Sequence, residues 1–329
     1  MKSFSQYSKV FAAFSQFIEF RLKGVARVSK YELPPIWDER NNNKTLHKLP
    51  FTFLMPTIHK PVNLPRVRPV VSAKWTLISL CCYLPDLLFK ETLLLYEKFE
   101  RSVRPHYEFH DVTIPSAFRD INSFVTEHTY CDNPPIFFKS DIENMYPNLL
   151  AEFFDRAHAV FLELVKDWEV RPPLLALWPS VRAILTHLDS HAYFQVGRSD
   201  IIARQLNGLL TGLPHCVSGA SFVTTMLLDS FHTDLIDTAI KDRTVNPANF
   251  LVDPRSLIWK GLIGLKFVDD FLIGVSSDLD LPLEYIFNFL KLRLAPTWEG
   301  SLFTHPGLDS VYWWKDSLGP PFWWASTFT

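Results

Sequence analysis

The spacing of apolar and polar positions marks out most of the elements. Residues 1–23 have helical spacing, with Val10, Phe11, Phe14, Phe17 and Ile18 on one face, and 32–43 form a Pro- and Asn-containing connection. Residues 51–72 are apolar but carry Pro56, Pro61, Pro65 and Pro69, which rule out helix and predict extended chain. Helical spacing returns over 75–101, with a break expected near Pro85, and again over 116–127. A short apolar strand, 136–141, ends on an acid, Asp141, and an amphipathic helix follows over 148–168. Residues 191–206 read as a hairpin turning at Gly197-Arg198-Ser199, and 221–240 as a helix. The last clear element is a hairpin over 262–276, two apolar runs with Asp269 and Asp270 at the tip.

This order, strand with terminal acid, helix, hairpin, helix, strand–Asp-Asp–strand, is that of an α+β fold. It brings Asp141 and Asp269 together on adjacent strands of one antiparallel sheet. Adjacent ionised carboxylates repel and resist burial, so their placement between apolar runs calls for a reason. A divalent cation supplies one, since magnesium takes carboxylate oxygens together with substrate phosphates. The bland alternative is a turn, where Asp is common.

Composition narrows the class. The 329 residues are 47% apolar and 21% charged, which is globular, and the formal net charge is −2. That near-neutral total hides an asymmetry. Residues 40–85 contain no Asp or Glu but hold Arg40, Lys44, Lys48, Lys60, Arg66, Arg68 and Lys74, a segment suited to a polyanion or to a solvated basic surface. Cys81, Cys82, Cys131 and Cys216 form neither a CxxC pair nor a disulfide framework, which suits an intracellular, reducing compartment. His128 and Cys131 have ligand-like spacing but no second pair, which argues against zinc. No uninterrupted apolar stretch is long enough for a membrane span. The N-terminal 30 residues, basic with the single acid Glu19, read either as a mitochondrial presequence or as a basic amphipathic helix of the fold. Phe is frequent (28) and Gly scarce (11), a bias that hints at an organellar genome.

Four segments in fixed order carry a resemblance. They are PTIHKPVNLPRVRPVVS (56–72), FFKSDIENMYPNLL (137–150), GLPHCVSGAS (212–221) and KFVDDFLIGVS (266–276). Together they resemble a reverse transcriptase, most of all the Penelope-like retroelement enzymes, whose Lys-Ile-His-Lys-Pro and Arg-Pro-Ile-Val-Ser runs are similar to Ile58-His59-Lys60-Pro61 and Arg68-Pro69-Val70-Val71-Ser72. The resemblance implies a right-hand polymerase with fingers and palm, an antiparallel palm sheet and a short thumb. The segments would divide as 1–135 (N-terminal extension and fingers), 136–280 (palm) and 281–329 (thumb-like), with a helix over 283–294.

The implied activity is RNA-directed DNA synthesis on a primed RNA template from deoxynucleoside triphosphates. By resemblance, Asp141 and Asp269 hold two magnesium ions and Asp270 supports the site. Lys60 and Arg68 grip the triphosphate, and Tyr146 excludes a 2′-hydroxyl. Gly212, Pro214 and Cys216 meet the template–primer. The family reads Gly-x-Pro-Met-Gly-Ser there, and two registers fit. In one, Cys216 replaces the second glycine and His215 the Met, so that a sulfur faces the template. In the other, Gly212 is the critical glycine. Phe267 stands where the family has Tyr. The altered motif and short C-terminal segment keep an alternative open, a catalytically inactive RNA-binding or structural component of a ribonucleoprotein. Its partners would dock on the aromatic C-terminal stretch that holds Trp313, Trp314, Trp323 and Trp324.

Overall fold

A computed structural model describes residues 49–56, 67–73, 76–103, 110–111, 114–128, 135–142, 145–166, 173–197, 201–206, 208–242, 261–276, 285–286 and 288–290. The N-terminal basic helix, Lys60, Cys131 and the tryptophan-rich C-terminal stretch fall outside these residues, and Arg68 and Asp141 are described in backbone only. No helix among the described residues is long and apolar enough to cross a membrane.

Two four-stranded sheets flank a helical core. The first sheet has the order β2–β1–β5–β6, from β1 (Phe51–Pro56), β2 (Val67–Ser72), β5 (Tyr193–Val196) and β6 (Ile202–Arg204). β1 pairs antiparallel with β2 and parallel with β5, and β5 with β6 closes the expected hairpin. The second sheet has the order β3–β7–β8–β4, from β3 (His110–Asp111), β4 (Ile136–Asp141), β7 (Leu262–Phe267) and β8 (Asp270–Val275). β4, β8 and β7 are antiparallel as expected, but β3 adds a parallel edge to β7. A two-residue strand leaves no period to read, so the sheet is mixed rather than purely antiparallel. β3 and α2 (Ile114–His128) precede residue 136, and β3 pairs with this sheet while α2 packs on it.

Side-chain alternation sets what each face of the second sheet meets. Phe137, Ile263 and Leu265 pack under Ile121, Phe124 and Val125 of α2, with the Phe124 and Phe137 rings edge-on at 5.9 Å. Phe271, Ile273 and Val275 face the other way, into the main core. That core is built by α1 (Leu77–Val103), α3 (Ala151–Leu164), α4 (Trp178–His191), α5 (His215–Leu227) and α6 (Phe231–Lys241). Its centre is a stack in which Phe89 of α1 lies between Phe154 of α3 at 5.1 Å and Phe222 of α5 at 5.0 Å.

Two helix expectations need correction. α1 runs unbroken through Pro85. Proline removes one helical hydrogen bond, but Leu84, Pro85, Asp86 and Phe89 are all buried, and tertiary packing outweighs that loss. Asp86 is held by Ser218 Oγ at 2.6 Å and Lys90 Nζ at 2.8 Å. Conversely, 221–240 is not one helix. α5 begins earlier, at His215, and the chain breaks at Ser230, whose φ is 58°, before α6. The break lets buried Asp229 accept from Tyr96 Oη at 2.9 Å, while Ser230 Oγ donates to its second oxygen at 3.0 Å. The 148–168 helix is shorter, Ala151–Leu164, preceded by a single turn at Met145–Asn148.

Within the expected 283–294 helix, the described residues are helical and lie on the core. Ile286 and Leu290 are buried, and the Phe289 ring packs against Phe231 at 5.3 Å.

A Cβ at Gly274 in β8 would come within 2.5 Å of the Phe137 ring and 2.7 Å of Ile263 Cγ2. Gly274→Ala is therefore expected to destabilise by about 1–3 kcal/mol. Urea denaturation measures this, and an unchanged midpoint would show that the sheet has slack at that point.

Candidate functional site

The hairpin that carries the two aspartates turns in two residues, Val268 and Asp269, closed by the pair Phe267↔Asp270. Val268 has φ 59°, a conformation that β-branched residues rarely adopt. Its side chain is buried in the main core, which holds the strained backbone in place. Phe267 is mostly exposed, and Asp269 and Asp270 are half-buried at the hairpin end.

The neighbouring strand delivers the third acid. Asp141 is the register partner of Asp270, and the Ile142 N–H donates to the Asp269 carbonyl at 3.0 Å. Register partners on antiparallel strands have Cα atoms about 4.5–5.5 Å apart and project to the same face. Three acidic positions thus converge at one end of the β4–β8–β7 ribbon. Among the described side chains no three His, Cys, Asp or Glu form a metal-ligating cluster, and the Asp141 carboxylate is not among them. The convergence is one of backbone register. The donor set fits magnesium, because three carboxylates offer hard oxygen ligands.

Two further motifs meet beside this point. The carbonyl of Tyr146, in the turn after β4, accepts from the Leu209 N–H at 2.8 Å. Two residues on, the Thr211 carbonyl accepts from the Val71 N–H of β2 at 2.8 Å. The 208–214 loop therefore bridges the turn after β4 and the edge of the first sheet before entering α5. Gly212 has φ 107°, and a Cβ there would sit 2.2 Å from the Val71 carbonyl oxygen, so only glycine permits this approach. Gly212 and Pro214 are exposed and Tyr146 is half-buried.

Cys216 corrects the sequence expectation. Its residue is buried, and its Sγ donates to the Leu210 carbonyl at 2.9 Å, so the sulfur points inward. Burial pushes its pKa up to about 12, which keeps it a thiol.

Sequence reasoning missed one group here and the burial of another. Lys266, one strand residue before Phe267, is buried, and its Nζ lies 3.5 Å from the Ser221 carbonyl of α5, tying hairpin to helix. Its position in an apolar strand was the only signal. His215 is fully buried with neither ring nitrogen hydrogen-bonded, and burial pulls its pKa down to about 3.

No family model and no curated protein sequence matches the chain. Among solved structures, telomerase from Candida albicans in complex with a TWJ fragment of telomeric RNA is 10% identical, with a TM-score of 0.44 over 92% of this chain and 47% of that one. Apo telomerase from Candida tropicalis, truncated from the C-terminal domain, is 13% identical, with a TM-score of 0.42 over 74% and 46%. The chain spans about half the length of these structures. At such values they carry nothing about what this chain binds or does, and neither is a Penelope-like element.

Two outcomes follow. Gly212→Ala must both adopt φ 107° and displace the Val71 carbonyl, so it is expected to cost at least about 2 kcal/mol in unfolding free energy. For His215 the folded pKa lies below the ordinary 6.5, so the unfolded chain binds the proton first. Stability is full above pH 6.5 and is lost as pH falls toward 3. His158, stacked on Trp178 and also lowered by burial, to about 4, has the same sign and stays in both proteins compared. His215→Met should shrink the stability loss between pH 7.5 and 4.5 by about 2 kcal/mol, read by urea titration at each pH. An identical pH profile in the two proteins would contradict the buried, neutral imidazole.

Proposed function

We propose that the chain is an RNA-directed DNA polymerase that transfers nucleotides to a primer 3′-hydroxyl on an RNA template. The observation that supports it above the others is the register Asp141↔Asp270 with Asp269 one residue away. Asp141 and the sequence-distant Asp269-Asp270 pair share one end of the β4–β8–β7 ribbon, beside a loop that also joins the Tyr146 turn to β2.

Asp141 and Asp269 would hold the metal pair, with Asp270 supporting their orientation. Bound there, two magnesium ions lower the barrier to attack on the α-phosphate and neutralise the departing pyrophosphate. The chain's own residues do the rest. The strained Val268 fixes where the Asp269 carboxylate starts from, and the β4–β8 register fixes Asp141 against it. Tyr146 lies five residues past the end of β4 at Asp141, in the turn anchored to Leu209, which suits a ring beneath the incoming sugar. Arg68 lies on β2, three residues before the Val71 that bonds the 208–214 loop, and would pair with phosphate through its planar fork; Lys60 joins it in the same role. Gly212 and Pro214, exposed at the entrance to α5, would line the template–primer side.

The inactive ribonucleoprotein component remains the second reading, but the inward Cys216 sulfur removes one argument for it. Primer extension separates them. With magnesium, an RNA template and an annealed primer, the chain is expected to extend. Asp269→Ala should lower the rate by on the order of 10²–10⁴-fold, the equivalent of several kcal/mol of lost charge stabilisation. No extension, or extension indifferent to the substitution, would overturn the assignment.

A further inference from the structure

The first turn of α3 has no cap of its own, and the acid that serves as one comes from another helix. Leu150, at the position before the helix, is extended (φ −82°, ψ 160°) and has no side-chain acceptor for the N–H groups that follow. The N–H of buried Ala151 instead donates to Asp189 Oδ2 of α4 at 2.9 Å. Two further contacts lock α4 against α3. Arg182 Nε donates to Asp155 Oδ2 at 2.6 Å, and the His158 and Trp178 rings stack at 3.9 Å, 3° from parallel. The pairs 151–189, 155–182 and 158–178 step in opposite directions along the two helices, so the carboxylate is presented by a rigid antiparallel pair.

What this anchor governs lies just upstream. Ala151 is five residues after Tyr146, and the chain between them has little slack. The Tyr146 carbonyl accepts from the Leu149 N–H at 3.2 Å as well as from Leu209, and Leu149 is fully buried. A Cβ on Gly208 would sit 2.2 Å from the Pro147 carbonyl oxygen, so the 208–214 loop already presses on the turn. The turn is thus held between that loop on one side and Asp189 at its end. An acid is a costly group for one N–H. Burial pushes the Asp189 pKa up to about 6, while the Ala151 N–H and the Arg182 guanidinium pull it down and Glu152 adds to the rise. Above that pH the carboxylate is ionised, and the positive end of the α3 dipole favours its charge.

We propose that Asp189 is a positioning residue: by anchoring the start of α3 it holds the Tyr146 turn in place, and so sets the preference for deoxyribose over ribose in the incoming nucleotide. This rests on the reading of Tyr146 as the ring beneath the sugar. Without the carboxylate the Ala151 N–H is left buried and unpaired, and the first turn of α3 gains by shifting toward water. The ring moves with it, and a displacement on the order of 1 Å is enough to change which sugar fits.

The test compares the full chain with Asp189→Asn, which keeps an acceptor oxygen, and Asp189→Leu, which does not. Hydrogen exchange read by mass spectrometry follows the anchor without any activity. Asp189→Leu should speed exchange in residues 145–154 by on the order of tenfold or more, with β4, β8 and α6 unchanged and Asp189→Asn close to the wild type. No change in that segment, or faster exchange throughout the chain, would overturn the anchor. Primer extension with deoxynucleoside and ribonucleoside triphosphates reads the consequence. The ratio of their kcat/KM values should fall about tenfold or more in Asp189→Leu and be retained in Asp189→Asn. Tyr146→Ala should lower the same ratio, and adding Asp189→Leu to it should lower it no further. Equal loss on both nucleotides, or additive effects of the two substitutions, would overturn the link to Tyr146. A wild type that does not extend would sink the polymerase reading and the sugar preference with it, while the exchange comparison decides the anchor separately.

Discussion

The pairing of β4 with β8 is the constraint on which the site depends. A one-residue slip in a strand moves every side chain to the opposite face, so Asp141 would leave Asp270 and turn toward the core. What prevents the slip lies away from the acids. Phe137 must lie under α2, while Phe271, Ile273 and Val275 must face the helical core. Gly274 is the register partner of both Phe137 and Ile263, and the ring of the first and the methyl of the second fill the space where its Cβ would be. Only one alignment puts the missing side chain beneath that ring, so a feature of the far end of the ribbon fixes the register of the three acidic positions at the near end.

The second constraint is the 208–214 loop. It contacts the turn after β4 through Leu209 and the edge of β2 through Thr211, and it then enters α5, the helix most deeply buried in the core. Through Lys266 and Ser221 the same helix touches the Asp-Asp hairpin. The first sheet, the turn after β4 and the Asp-Asp hairpin are therefore referred to a single helix. Rigid elements held this way keep side chains within the small tolerances that positioning chemistry needs.

Much of this was legible in the sequence because the strands are half-buried and alternate. β4 and the β7–β8 hairpin fall where the apolar runs put them, and the acids at their ends mark the site. What the sequence hid was decided by tertiary contacts. Pro85 reads as a break, but burial keeps α1 continuous through it. Ser230 reads as mid-helix, yet it takes a left-handed conformation between α5 and α6, beside the buried, hydrogen-bonded Asp229. Two-residue β3 has no period to recognise. Cys216 differs again, because a helix that begins at His215 buries its first turn, and a linear motif cannot say which side of that turn faces inward. Nothing local announces the positive φ of Val268, which exists because its side chain is anchored in the core.

The most direct test of the central claim is a manganese titration followed by electron paramagnetic resonance, using the wild type and three single variants, Asp141→Asn, Asp269→Asn and Asp270→Asn. Manganese stands in for magnesium because it accepts the same oxygen ligands. If the register assembles one site, the wild type binds manganese and each substitution weakens that binding, Asp141→Asn included, although it lies more than a hundred residues from the pair in sequence. Manganese binding that ignores Asp141→Asn while responding to the other two would contradict the account, leaving the aspartate pair as an ordinary acidic turn.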